Sequence, residues 1–194
     1  MLWVSGPFCR PQRLDAGVRC LGESRQLEFC IDRFEYPNQV GVKPVVLATY
    51  VEAADYCHAE GKRLCRDAEW TLACRGVARV SACNTGDGSL RIPVEQFRTG
   101  HDIARAFASI DGRRASRVGD CAGESGAQDM LGNVQEWVQS EHPADYPAAL
   151  KGGHYNQVSI GCERSIQTRH PLVRYPTTGL RCCADALVDL PAPR

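Results

Sequence analysis

No Cys-x-x-Cys pair occurs in the 194 residues, and the five histidines form no His-x3-His-like pattern. Zinc sites use such spacings, so zinc is not the expected reason for eleven cysteines. Net charge is also lacking, with 23 basic and 23 acidic residues. That balance excludes a globally charged surface for nucleic acid or acidic lipid. The basic cluster RRASR (113–117) is too short to change this, because nucleic-acid sites neutralise several phosphates at once. It reads as a solvated loop. No run approaches the ~18 apolar residues of a membrane span. The start, MLWVSGPFCRPQRLDAG, lacks the basic-then-apolar pattern of a secretory signal.

What is present describes a folded chain. Hydrophobic residues make up 43% and charged residues 24%, and the length suits one domain of ordinary size. Eleven cysteines without metal spacing imply disulfides, and disulfides imply an oxidising compartment. An extracytoplasmic protein is expected, secreted, periplasmic or lipid-anchored, with its leader belonging to a longer precursor. Eleven is odd, so at least one thiol stays free or pairs with another chain.

Residues 1–28 read as an irregular, cysteine-containing lead-in, 29–186 as the domain, and 187–194 as a flexible tail. FCIDRFEYPN (29–38) reads as a strand running into a turn, and KPVVLATY (43–50) as a second extended run. Thr49 and Glu52 have capping-box spacing and open a helix over about 50–60, which Gly61 stops. Cys57 shares the inward face of this helix with Ala53 and Ala54. A second helix, about 67–75, carries Trp70, Ala73 and Cys74 on one stripe and ends at Gly76. Residues 84–126 read as a long loop whose ends, Cys83 and Cys121, would pin it. VQEWV and TGLRCC read as strands of a small sheet.

Four stretches occur in order: FCIDRFEYPN, GKRLCRDAEWTLACRG (61–76), DMLGNVQEWV (129–138), and KGGHY (151–155) followed by GLRCCAD (179–185). Together they resemble the sulfatase-modifying-factor family, the formylglycine-generating enzymes and their bacterial relatives. GKRLC and GLRCC are similar to a cysteine-rich subgroup typical of secreted or lipid-anchored proteins of Gram-negative bacteria such as myxobacteria. The resemblance implies an irregular α+β fold of C-type-lectin-like kind. It would have two short helices, small antiparallel sheets and long ordered loops, stapled by disulfides.

The family's enzymes oxidise a cysteine of a sulfatase to formylglycine, using oxygen and a Cu(I) ion held by two thiolates, a choice that suits soft ligands. Those thiols follow the double-glycine motif in a Cys-x4-Cys spacing. Here residues 156–160 after Tyr155 are Asn, Gln, Val, Ser and Ile. Cys162 matches instead a later family cysteine that bridges to the one equivalent to Cys74. The same resemblance pairs Cys57 with Cys182. Cys65 and Cys183 each lie near a member of that pair, so a bridge between them is expected. Cys83–Cys121 would close the long loop, and Cys30 would pair with Cys20 or Cys9.

In the family, DMLGNVQEWV wraps calcium, an ion that accepts hard oxygens and carbonyls. By position the ligands would be Asp129, the carbonyls of Gly132 and Val134, and Glu136, with a second site near Asn84-Thr85. Trp70 and Trp137 occupy the family's core positions. Arg66 stands where the family often has a capping Thr, a loss of about 1 kcal/mol.

Two functional readings follow. The first is a non-catalytic binding or scaffold domain for a protein, peptide or glycan, with structural calcium and no copper. The second is a copper- or iron-dependent oxidase or oxygenase of altered chemistry, using His154, Gln157 and His170.

Overall fold

The computed structural model describes residues 1–14, 17–76, 121–155 and 161–186. RRASR, Cys83, Asn84, Thr85, Gln157 and the tail 187–194 lie outside the described residues.

Alternation of buried Val4 and Phe8 with exposed Trp3 makes the chain's start a strand with one inward face. This strand, β1 (Leu2–Leu14), pairs antiparallel with β2 (Gly17–Ile31) from Leu2 opposite Ile31 to Leu14 opposite Gly17. The irregular lead-in expected over 1–28 is therefore corrected to a hairpin. Pro7 and Pro11 fit because β1 lies at the sheet edge, where a missing backbone donor need not break the ladder.

Past β2 the chain turns through a cis Tyr36–Pro37 bond. The extended run expected over 43–50 does not form a strand. Leu47 has φ of 60°, and the Val45 N–H goes to the Tyr36 carbonyl instead of a ladder. Helix α1 (Tyr50–Ala59) starts at the expected capping box: the Glu52 N–H donates to Thr49 Oγ1 at 3.2 Å, and the Thr49 N–H to Glu52 Oε2 at 2.9 Å. Short β3 (Arg63–Leu64) leads into α2 (Asp67–Cys74).

β4 (Gln135–Gln139), β5 (Ala148–Lys151), β6 (Ile166–Thr168) and β7 (Thr178–Leu180) form a second sheet in the order β6-β5-β4-β7. Its β4–β7 pairing is parallel and its others antiparallel. β8 (Cys182–Asp185) returns to the first sheet and inserts between β2 and β3.

Two apolar cores result. One surrounds Trp70 with Phe29, Ile31, Met130 and Val138. The other surrounds Trp137 with Ala53, Leu64, Leu150 and Leu180. Successive strand residues face opposite ways, so neighbouring Cys182 and Cys183 enter different cores. Cys182 joins Cys57 of α1, Cys183 joins Cys65, and Cys162 joins Cys74 of α2. Cys9 and Cys121 are also disulfide-bonded.

Cys30 is a free thiol, which corrects its expected pairing with Cys20 or Cys9. Cys20 lies ten positions back on the same strand, about 33 Å away at the usual rise. Cys30 faces Trp3 across the hairpin, well along the strand from Cys9.

Candidate functional site

Three neighbouring features surround the stretch after β5. The first is the double-glycine turn. Gly152 and Gly153 have φ of 83° and 72°, and a Cβ on Gly152 would meet the Met130 carbonyl at 2.7 Å and the Trp70 ring at 3.2 Å. Only glycine fits that approach. The turn delivers the Tyr155 N–H to the Asn133 carbonyl and sets the half-buried His154 ring edge-on to Tyr155. Burial lowers the His154 pKa, which favours the neutral imidazole. His170 is exposed in a separate loop, its N–H bonded to Thr168 Oγ1. Among the described residues, no group of three or more His, Cys, Asp or Glu side chains is placed to hold a metal ion. Cys162 is committed to its bridge with Cys74.

The second feature is the turn expected to bind calcium. Asp129, Gly132 and Asn133 adopt positive φ, which curls the backbone tightly. The carboxylate of Glu136, however, is turned away toward Arg181. Arg181 Nη2 donates to Glu136 Oε1 at 2.8 Å and Nε to both oxygens at 3.1–3.2 Å, while the Trp70 indole N–H donates to Oε2 at 2.6 Å. Glu35, absent from the expected ligands, is also here. It accepts from the Val134 N–H and from Asn133 Nδ2. Burial first, then the charges of Glu136 and Asp129, push its pKa well above the usual carboxylate range. A lone glutamate in FEYP carries no spacing signal, so sequence reasoning had no means to find it. Of the expected set Asp129, Gly132, Val134 and Glu136, the Glu136 carboxylate is thus already held by Arg181 and the Trp70 indole.

The third feature is a polar cleft of about 170 Å³ between the hairpin, α2 and the segment 163–167 that leads into β6. Its floor is an ionic knot. Fully buried Lys151 donates to Asp67 Oδ1 at 3.1 Å, Thr71 Oγ1 at 2.8 Å and Ser165 Oγ at 3.2 Å, using all three ammonium protons. Ser165 donates in turn to Asp67 Oδ2. Burial lowers the Lys151 pKa, with the Asp67 charge opposing that shift. Glu141, His142, Glu163 and Gln167 form the walls, and Phe8 closes one side. Arg25 and Arg75 tie back Glu141 and Glu163 at 3.2 and 2.9 Å, and Arg75 also lies over the Phe8 ring. Lys151 and Asp67 are 84 positions apart, which is why sequence spacing does not reveal the knot.

Two short helices, two small sheets and buried long-range disulfides define a mixed α+β domain of C-type-lectin-like fold. The family model of the sulfatase-modifying factor enzyme 1-like domain matches residues 23–186, and the chain belongs to that family. It is 30% identical over 162 residues to the serine/threonine-protein kinase Pkn1 of Chlamydia trachomatis serovar L2, covering 73% of this chain and 24% of that protein. With the pkn1 protein of Chlamydia pneumoniae it shares 30% over 159 residues, 72% of this chain and 23% of the relative. The chain thus spans about a quarter of these relatives' lengths. Among solved structures it is similar to Treponema denticola variable protein 1, with TM-score 0.52, 13% identity, and coverage of 95% and 93% of the two chains. It also matches the major tropism determinant U1 variant, with TM-score 0.47, 16% identity, and coverage of 71% and 38%.

Proposed function

We propose that this domain is a non-catalytic member of its family, an extracytoplasmic binding or scaffold module for a protein, peptide or glycan. One observation carries the reading: the cysteine that follows the double-glycine turn is bonded to Cys74, and residues 151–161 hold no other. Copper oxidase chemistry needs two free thiolates close together, and this stretch offers none. The buried disulfides suit an oxidising compartment, and no helix among the described residues is long and apolar enough to cross a membrane.

The polar cleft is the surface we assign to the ligand. Its floor is braced by Lys151, so Ser165 and Asp67 present hydrogen-bonding atoms at fixed positions. Its walls carry an amide, an imidazole and carboxylates suited to hydroxyl or amide groups.

Screening the oxidised chain against glycan and peptide arrays tests this. A hit whose affinity falls at least tenfold in Gln167→Ala and Glu141→Ala, with unchanged melting temperature, supports the reading; that loss corresponds to about 1.4 kcal/mol. Copper-dependent conversion of a cysteine peptide to an aldehyde by the same protein would overturn it.

A further inference from the structure

We propose that the Arg181 guanidinium is the resident cation of the 128–136 segment, which the domain therefore holds without a divalent ion. The side chain is fully buried, yet every one of its N–H donors has an acceptor. Nη1 donates to the carbonyls of Asp32 and Arg33 at 3.1 and 2.9 Å. Nη2 donates to the Gln128 carbonyl at 2.7 Å and to Glu136 Oε1 at 2.8 Å, and Nε spans the Glu136 carboxylate. A guanidinium has five such protons, and all five are used.

The oxygens it gathers come from three separate places in the chain: the end of the first sheet, the approach to the turn, and β4. Collecting backbone carbonyls and a carboxylate from distant segments is what calcium does in an all-oxygen site. Here a planar fork does the same with fixed geometry. A divalent ion seeking Glu136 would meet a positive charge already seated on it. The Trp70 indole N–H adds a further donor on Oε2. The tight turn is thus tied to the rest of the fold through Arg181, and this holds whatever the cleft binds.

The wild-type chain provides the main test. It is melted in EDTA and in excess calcium chloride, and its calcium content is measured after desalting. The expected result is one melting temperature within about a degree, since a ligand of the folded state would raise it, and calcium well below one ion per chain. A rise of several degrees with calcium that Asp129→Ala abolishes overturns the proposal. A rise that Asp129→Ala retains belongs to another segment, such as the one expected near Asn84-Thr85, and upholds it. Arg181→Lys adds a second reading. One ammonium cannot serve all these oxygens, so this variant should melt several degrees lower in both buffers. Wild-type melting of Arg181→Lys in EDTA would overturn the proposal too. If Arg181→Lys does not fold, the calcium comparison still decides the matter.

Discussion

Glu52 shows how one side chain can serve two structures. It completes the capping box with Thr49 and also accepts from Arg174 at 2.5 Å. The Arg174 bond, followed by the Thr49 backbone, lowers its pKa from 4.5 to about 2. A carboxyl depressed in the folded state contributes stability above its unfolded pKa and loses it as pH falls through the folded one. The Glu52 contribution should therefore fade between pH 4.5 and about 2. Glu52→Gln should flatten that part of the acid melting profile, and an unchanged profile would refute the assignment. Thr49→Ala should cost about 1 kcal/mol in denaturant titration, a typical value for a lost cap. Lys151 is a harsher case. Lys151→Met would leave Asp67 with its ammonium gone, and breaking a buried pair from one side typically costs about 3–5 kcal/mol. Urea unfolding would read that loss directly.

Elements were legible in the sequence wherever a local signal fixed at least one end. Both helices carried one, through the Thr49–Glu52 pair and the stops at Gly61 and Gly76, whose φ values are 69° and 78°. Even the missing cap at Arg66 was legible, although Glu69 partly makes up for it by accepting from the Arg66 N–H at 2.8 Å. The hairpin was not legible, because prolines and glycines among its residues imitate a loop, and pairing partners up to 29 positions apart leave no local trace. The run 43–50 failed in the opposite way: β-branched residues suggested a strand, but its backbone donors go elsewhere. The cleft was invisible for the same reason as the hairpin, since its floor joins residues from three distant segments. Hairpin geometry also predicts cysteine reactivity. Native alkylation without reductant should label Cys30, which is partly exposed, and leave Cys74 and Cys162 unmodified. Labelling at Cys162 would reopen the thiolate reading.

At the scale of the whole molecule, residues 178–185 belong to both sheets. β7 ends in one, Arg181 crosses between them, and β8 pairs in the other. The Cys57–Cys182 bridge spans 125 positions, and replacing both cysteines by serine should cost about 2–5 kcal/mol by calorimetry, the usual loss for a native bridge.

That placement also sets an order in time. The ribosome makes β2, α1, β3 and α2 long before Cys162, Cys182 and Cys183, yet Cys57, Cys65 and Cys74 wait for those three. β2 and β3 cannot share a sheet until β8 has arrived to lie between them. A nascent chain halted at residue 177 therefore holds two early thiols, Cys57 and Cys65, whose native partners do not yet exist. In an oxidising compartment their first bonds would be wrong ones, so biogenesis of this domain should depend on a disulfide isomerase or on oxidation delayed until synthesis is complete.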